Sequence, residues 1–289
     1  MAGQALVEFP ASWKNPESPG YGTYPGPYKY EGVERYVEAA AKALTLGYRH
    51  IDTAQTYGNE AYIREAIRAS GVPRDAIFLT SKLHPRRNSY RGALSGLTRS
   101  KKRLGTAPDM YLIHYPGRGH AIAAWQGLVE AKAKGLCRHI GVSNFEEQHL
   151  MTLLEKTGEP PEVNQIEFHP HLWSEHLSNL VGFCQGCGIL VEGYSPLAEC
   201  RRELLQRPVI LQIAGNHDAT PARVVLKWCM QHGVRPIVGS LTETHIAENL
   251  GPYDFTLTQE EMIQIDALGV LQDRVSLVWS WDPTTAVLR

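Results

Sequence analysis

Short apolar segments alternate with longer amphipathic segments along most of the chain. The apolar segments are five to seven residues long, the length of a strand buried on both faces; they are Tyr48–Ala54, Ile77–Leu83, Met110–Tyr115, His139–Ser143, Val163–His169, Ile189–Ser195 and Val234–Gly239. Gly22–Tyr24 would be a shorter first strand, which makes eight. Alternating strands and helices are typical of parallel sheets. Eight such units predict a closed (β/α)8 TIM barrel, an α/β fold.

The amphipathic segments carry signals for helix ends. Most of them run up to a glycine, which supplies a left-handed C-cap; they are Val33–Leu46, Glu60–Ser70, His120–Lys134, Ser174–Gly186 and Ala219–Gln231. Thr220-Pro221 resembles an N-cap followed by proline in the first turn. Ser240–Glu243 and Thr258–Glu261 have the spacing of capping boxes. A glycine-rich fingerprint of the form G-x-G-x-x-G follows none of the strands, so any nicotinamide binding must use another architecture.

Composition argues for one self-contained enzyme-sized domain spanning residues 1–289. The formal charge is −1, and we interpret the basic run Arg99–Arg103 as a solvated helix face, not a nucleic-acid site. No apolar stretch approaches about 18 residues, so we expect no membrane-spanning helix. Residues 1–20 lack the apolar core of a signal peptide, so we do not expect the protein to be secreted. Cys184 and Cys187 form one C-x-x-C without a second pair, which favours packed thiols in a reducing, cytoplasmic setting over a metal site.

Active sites in such barrels gather at the carboxyl ends of the strands. Asp52 ends the second predicted strand and Lys82 lies at the end of the third. Buried charges are costly unless they are paired, so an ion pair between them is expected, although such a pair can also be purely architectural. Tyr57 follows closely, and a cation near a phenol should lower its pKa and make it a usable general acid. His114 ends the fourth strand; it is either a packed core histidine or a residue that orients a substrate carbonyl.

Several motifs then resemble one known family. Residues 47–60, Gly-Tyr-Arg-His-Ile-Asp-Thr-Ala-Gln-Thr-Tyr-Gly-Asn-Glu, strongly resemble the aldo-keto reductase signature. The likeness continues in Leu79–Leu83, Tyr111–Pro116, Gly141–Phe145, Asn164–Pro170 and Tyr194–Leu197, and it spans about residues 20 to 270. The resemblance implies reduction of small aldehydes or ketones to alcohols by hydride from a nicotinamide cofactor, commonly by a monomer.

The resemblance also implies roles for particular residues. Tyr57 matches the acid that protonates the carbonyl oxygen, Lys82 the partner that lowers its pKa, and Asp52 the carboxylate on that lysine. His114 matches the residue that orients the carbonyl, and Tyr115 is a candidate for the substrate pocket. The positions that match cofactor contacts are Gly22, Thr23, Asp52, Ser143, Asn144, Gln165, Tyr194, Ser195, Leu197, Gly239, Ser240, Thr242, His245, Glu248 and Asn249.

The match breaks where the 2′-phosphate of NADPH would bind. Gly239 stands at the position of a family lysine, and His245 stands at the position of a family arginine. A helix N-terminus at Ser240–Thr242 remains and can receive a phosphate through backbone N–H groups. NADPH therefore stays the first expectation, while the lost charges make NADH plausible.

The two ends of the chain also depart from the family pattern. Residues 1–20 lack the turn of the hairpin that often plugs the barrel bottom. The segment Ala198–Arg207 and the tail after Gly269 are short, which indicates an open pocket. Trp279 and Trp281 either line that pocket or pack the tail onto the barrel.

Two other kinds of function remain compatible with these motifs. Channel β subunits and lens crystallins resemble these reductases, so a cofactor-binding regulatory or structural protein with slow or no turnover is the alternative. A metal-dependent barrel hydrolase is disfavoured because His169-Pro-His171 is the one close histidine pair, and its geometry suits a single metal poorly.

Overall fold

A computed structural model describes residues 18–24, 33–117, 120–198 and 202–269, with positions 286 and 288. Its eight strands are β1 (Gly20–Gly22), β2 (His50–Asp52), β3 (Phe78–Leu83), β4 (Met110–Ile113), β5 (His139–Ser143), β6 (Val163–Glu167), β7 (Leu190–Tyr194) and β8 (Val234–Val238). Each strand pairs in parallel with its sequence neighbour, and β1 also pairs with β8, so the sheet closes into a barrel. The predicted (β/α)8 fold is confirmed.

The helices lie between the strands and after the last one. They are α1 (Val33–Leu46), α2 (Glu60–Ser70), α3 (Tyr90–Leu104), α4 (Ala121–Ala133), α5 (Glu147–Thr157), α6 (Glu175–Gly186), α7 (Arg202–Leu205), α8 (Pro208–Asn216), α9 (Pro221–Gln231), α10 (Glu243–Leu250) and α11 (Gln259–Asp266). The predicted capping box at Thr258 and Glu261 is confirmed in both directions. The predicted cap at Thr220 is also confirmed, since its side chain accepts from the backbone of Arg223.

Several sequence-based boundaries differ from the structure by one or two residues, and two of them were wrong near the predicted cofactor positions. The first strand is Gly20–Gly22 and not Gly22–Tyr24. Thr23 still binds the carbonyl of Asp52 through both its backbone N–H and its hydroxyl, but no ladder continues beyond it. The helix expected from Ser240 begins later, with Thr242 as its N-cap, because the hydroxyl of Ser240 instead accepts from the backbone of Thr242 in a local turn.

The apolar residues divide into an outer layer and a barrel interior. Most of the core packs helices against the outside of the sheet, including fully buried Trp125 and Trp228. A small cluster of Phe78, Met110, Leu112 and Val163 is separate from that layer. Side chains alternate faces along a strand, so Lys82, two residue pairs beyond Phe78, also points inward. The interior therefore changes from apolar to charged toward the carboxyl ends of the strands.

Among the described helices, none combines the length and the apolar character needed to cross a bilayer. The basic run at the end of α3 is solvent-exposed at Lys101, Lys102 and Arg103, as expected for a solvated face. Arg103 also pairs with the buried carboxylate of Glu60 at 3.4 Å.

Candidate active site

Four chemically active side chains meet at the carboxyl end of the barrel. Asp52 is the last residue of β2, Lys82 is the penultimate residue of β3, and His114 directly follows β4. Tyr57 ends a short 3-10 turn, Gln55–Tyr57, whose exit is Gly58 in the left-handed region at φ 74°. Parallel strands put their carboxyl ends on one face of the barrel, so residues 62 positions apart in sequence become neighbours.

The ammonium of Lys82 is the centre of this group. Its Nζ donates to Oδ1 of Asp52 at 2.5 Å, to the carbonyl oxygen of Thr53 at 3.2 Å and to the hydroxyl of Tyr57 at 3.3 Å. Lys82 is fully buried and Asp52 is 2% exposed. These three contacts match the three N–H groups of an ammonium. The expected ion pair is therefore present, and it contacts the phenol.

The expectation that Lys82 lowers the pKa of Tyr57 in the free protein was wrong. Burial raises that pKa well above its ordinary value of 10, and the negative charge of Asp52 raises it further, as does nearby Tyr24. The physical reason is first that burial disfavours the charged phenolate, and second that the carboxylate of Asp52, which pairs with the ammonium, adds a negative charge near the phenol. Tyr57 consequently stays protonated throughout the neutral range. A protonated phenol is the form that can donate a proton.

His114 lies against this phenol and is held in the neutral state. Its ring meets that of Tyr57 edge-on with centroids 5.7 Å apart, and its Nδ1 lies 3.2 Å from the hydroxyl of Thr56. Burial lowers the pKa of His114 well below 6.5, and the charge of Lys82 lowers it further. When the hydroxyl of Thr56 donates to Nδ1, the imidazole carries its proton on Nε2. That tautomer provides a neutral hydrogen-bond donor beside Tyr57.

Sequence reasoning missed Tyr24 as a residue of this site. Its ring centroid lies 5.2 Å from that of Tyr57, and the side chain is 42% exposed. The available signal was an aromatic residue directly after Thr23 at the end of β1. Tyr115 is partly buried, and its carbonyl accepts from Asn88 at 2.9 Å, so a role in substrate binding remains a prediction. Trp279 and Trp281 lie outside the described residues.

The residues predicted to contact the nicotinamide lie on β5, β6 and β7 or directly after β5; they are Ser143, Asn144 and Gln165 for its carboxamide and Tyr194 for its ring. Ser143 donates to the carbonyl of Gln165 at 2.7 Å. Asn144, at φ 63°, donates to the carbonyl of His114 at 3.0 Å and accepts from the hydroxyl of Tyr194 at 2.8 Å. Tyr194 and Asn144 are therefore joined by hydrogen bonds to the backbone of His114. The predicted residues form one continuous wall.

Gln165 lies between this wall and the ion pair of Lys82 and Asp52. Its Nε2 lies 2.9 Å from Oδ2 of Asp52 and 2.9 Å from Oε2 of Glu192. Within the described residues its Oε1 has no hydrogen-bond partner. Both N–H groups of the amide therefore donate inside the barrel, and its oxygen Oε1 is available to accept another hydrogen bond.

The remaining predicted cofactor positions lie beside β1, β7 and β8. Gly239 is in close contact with the backbone of Gly22, because a Cβ on Gly239 would approach the carbonyl oxygen of Gly22 to 2.3 Å. Ser195 adopts a positive φ of 50°, and Leu197 is buried. Gly22, Thr23, Ser240, Thr242, Glu248 and Asn249 lie near these segments or on α10.

The end of α10 that would face a 2′-phosphate has no net positive charge. Glu243 is its first residue, and Lys42 of α1 pairs with that carboxylate at 2.7 Å. His245 is exposed to solvent. The described residues contain no group of three or more His, Cys, Asp or Glu side chains arranged to hold a metal ion.

Glu192 is a buried carboxyl that sequence reasoning did not single out. Burial raises its pKa from 4.5 to about 7; the charge of Arg235 opposes that rise and the charge of Asp52 adds to it. A raised pKa means that ionisation costs stability, a cost that starts above the unfolded pKa near 4.5 and is complete above 7. Replacing Glu192 with Gln should therefore raise the free energy of unfolding at pH 8 by about 1–3 kcal/mol and change it little near pH 4.5.

Glu162, which directly precedes β6, is the matched control. Burial tends to raise its pKa, but hydrogen bonds from His139 and Lys132 outweigh that and lower the pKa below 4.5. Its ionised form therefore stabilises the fold above that pH, so Glu162→Gln should destabilise at pH 8. Urea unfolding at both pH values measures the two signs. A Glu192→Gln variant that loses stability at pH 8 would contradict the prediction.

Comparison with known proteins identifies the family of this chain. The model of the Aldo/keto reductase family matches residues 20–270. Glyoxal reductase of Bacillus subtilis is 40% identical over 87% of this chain and 89% of its own length. 2,5-diketo-D-gluconic acid reductase B of a Corynebacterium strain is 38% identical over 92% of each chain.

A solved structure gives the same answer at the level of the fold. The aldo-keto reductase of Bombyx mori in complex with NADP superposes with a TM-score of 0.81 at 31% identity, covering 86% of this chain and 88% of that one. The family model covers most of the chain, and the relatives match over nearly their whole lengths. This protein is a (β/α)8-barrel oxidoreductase that belongs to the aldo/keto reductase family.

Proposed function

We propose that this protein reduces small aldehydes or ketones to alcohols with a nicotinamide cofactor, and that Tyr57 supplies the proton. The observation that carries the proposal is the hydroxyl of Tyr57 on the ammonium of Lys82 at 3.3 Å. That ammonium is itself paired with Asp52, beside a neutral His114 at the open end of the barrel. The names of the relatives, a glyoxal reductase and a diketo-gluconic acid reductase, support small carbonyl substrates.

The residues present fit a nicotinamide cofactor. The wall of Ser143, Asn144 and Gln165 presents polar groups to a carboxamide, and the uncommitted Oε1 of Gln165 can accept from its NH2. Gly22 and Gly239 leave backbone without side chains where β1 and β8 meet. When bound there, the cofactor supplies the hydride. Tyr194, Ser195 and Leu197 would hold its other groups.

The protein's own part is to handle the proton and the developing charge. As the carbonyl oxygen gains negative charge, Tyr57 donates its proton to it, because an alkoxide is a much stronger base than a phenolate. Lys82 then stabilises the phenolate through the hydrogen bond that it already makes. His114 donates a second hydrogen bond to the same oxygen. The high pKa of free Tyr57 is compatible with this role, since the charge appears only during reaction.

The decisive test is turnover. Purified protein is mixed with NADPH or NADH and with glyoxal, other aldehydes, ketones and quinones, and loss of the absorbance of the reduced cofactor is followed. Turnover with a carbonyl substrate supports the proposal. Tight cofactor binding without turnover on any substrate favours the regulatory or structural alternative.

For the cofactor, we infer a weak preference for NADPH with NADH also accepted. The paired charges of Glu243 and Lys42 cancel each other at the start of α10, and the exposed His245 stands where the family pattern has an arginine. What remains for a 2′-phosphate is the helix N-terminus itself. Titration of both reduced cofactors tests this, and tight NADPH binding with no NADH binding contradicts it.

Replacing His245 with Arg should tighten NADPH binding about tenfold and leave NADH binding unchanged. The new guanidinium adds a charge-assisted contact to the 2′-phosphate, and an exposed contact of this kind is worth about 1.4 kcal/mol. Quenching of intrinsic tryptophan fluorescence gives both dissociation constants. NADH is the internal control, because it lacks the phosphate; an equal change for both cofactors would contradict the assignment.

Gly239→Lys is the informative companion variant. Although it restores the lysine of the family pattern, its Cβ would lie 2.3 Å from the carbonyl oxygen of Gly22. The backbone of β1 must move to admit it, so we expect lower thermal stability and no gain in NADPH affinity. A stable Gly239→Lys protein with tenfold tighter NADPH binding would show that this contact relaxes easily.

A further inference from the structure

A row of three polar side chains crosses the inside of the barrel. Gln165, Glu192 and Arg235 are direct register partners on β6, β7 and β8. Glu192 is 1% exposed and Arg235 is 5% exposed. Glu192 lies beneath the acid site and contacts neither Tyr57 nor Lys82 directly in the described structure. Its role must therefore be sought through Gln165.

The amide of Gln165 is held between carboxylates from opposite sides of the barrel. Its Nε2 reaches Asp52 of β2 and Glu192 of β7, each at 2.9 Å. An ionised carboxylate only accepts hydrogen bonds, and an amide NH2 has two hydrogens, so each hydrogen has one acceptor. Two acceptors in different directions define the plane of the amide. That plane in turn defines where Oε1 points.

We propose that Glu192 is a positioning residue that holds the amide of Gln165 in one orientation, so that Oε1 accepts from the NH2 of the nicotinamide carboxamide. The inference rests on the proposed function, because it concerns the same cofactor site. Asp52 alone would leave the amide free to turn about the one remaining hydrogen bond. The charge of Arg235 favours the ionised form of Glu192 but does not outweigh burial, which favours the neutral form. The useful property of Glu192 is therefore its acceptor oxygen, which both forms keep.

Three substitutions separate the acceptor from the charge. Glu192→Asp keeps the charge but withdraws the oxygen by one methylene, whereas Glu192→Gln loses the charge but keeps an acceptor oxygen in place. Glu192→Met loses both. Positioning predicts that Asp and Met variants bind cofactor about tenfold more weakly, the loss of one hydrogen bond, and that the Gln variant stays within about threefold of wild type.

The dissociation constants of NADP+ and NADPH are measured for each variant by tryptophan fluorescence. A positioning role changes both constants equally. A purely coulombic role would weaken NADP+, whose ring is positive, in the Gln variant and spare the Asp variant; that pattern overturns the proposal. Glu162→Gln, a buried carboxylate at the far end of β6, is the control and should bind both forms as wild type does.

A second readout needs no cofactor. The side-chain NH2 protons of Gln165 should exchange slowly with solvent in wild type, and faster in Glu192→Met, when followed by NMR of 15N-labelled protein. Unchanged exchange together with unchanged dissociation constants in all three variants overturns the inference while leaving the proposed function intact. Failure of the wild type to bind either NADP+ or NAD+ refutes the proposed function itself.

Discussion

Replacing Tyr57 with Phe should lower kcat for carbonyl reduction by about a thousandfold, with little change in cofactor affinity. The variant removes the only atom that donates the proton, and general acids of this kind contribute about 10²–10⁴-fold. The phenyl ring keeps the contacts with Tyr24 and His114, whose centroids lie 5.2 and 5.7 Å from that of Tyr57. Steady-state kinetics with saturating cofactor measure the loss.

Tyr111→Phe is the matched control for that variant. Tyr111 is a fully buried tyrosine whose hydroxyl contacts Ser100 at 3.3 Å, outside the reaction centre. Removing this hydroxyl should lower the free energy of unfolding somewhat and leave kcat close to that of wild type. If Tyr57→Phe retained more than a tenth of wild-type kcat, another group would have to be the acid.

Replacing Lys82 with Met should lower kcat by about a hundredfold or more and also destabilise the fold. The activity falls because the phenolate formed at Tyr57 loses its hydrogen-bonded cation, a contribution comparable to that of an oxyanion-hole donor, about 10²–10³-fold. The fold suffers because Asp52, 2% exposed, is left as a buried charge without its ammonium partner. Removing one partner of a buried ion pair lowers the free energy of unfolding by about 3–5 kcal/mol.

The double variant Asp52→Asn with Lys82→Met separates the two effects. With both charges removed, most of the lost stability should return, since two neutral groups of similar size remain. Activity should stay low, because the cation is still missing. Thermal unfolding and kcat are measured on the same preparations. Recovery of kcat together with stability would mean that Lys82 matters for architecture alone.

The contacts of Lys82 with both Tyr57 and Asp52 explain why the expectation of a lowered pKa for Tyr57 was wrong. A lysine next to a tyrosine predicts a lowered phenol pKa when only that pair is considered. In the folded chain Asp52 lies 2.5 Å from the same ammonium, and burial acts on the phenol as well. The net effect of three groups depends on their distances, which no motif records.

At Gly239 and at Gln165, too, the fold adds information that the sequence does not contain. The sequence pattern predicts that Gly239 leaves out a charge that would face a 2′-phosphate. The fold adds that a side chain there would meet the carbonyl oxygen of Gly22 at 2.3 Å, because β1 and β8 close the barrel at this point. For Gln165 the sequence indicated a cofactor contact, but its hold on Asp52 and Glu192 depends on strands far apart in the chain.

By itself the sequence determined the barrel, its approximate strands and the four residues at its rim. Hydrophobic periodicity is local, and the rule that carboxyl ends of parallel strands share one face follows from chain direction alone. Only the tertiary structure decided the end of β1, the state of Tyr57, the contact of Tyr24 and the buried row containing Glu192. These features depend on which side chains face one another across the closed barrel. Electrostatic energies vary steeply with the distances between those side chains, and the spacing of residues along the sequence does not give these distances.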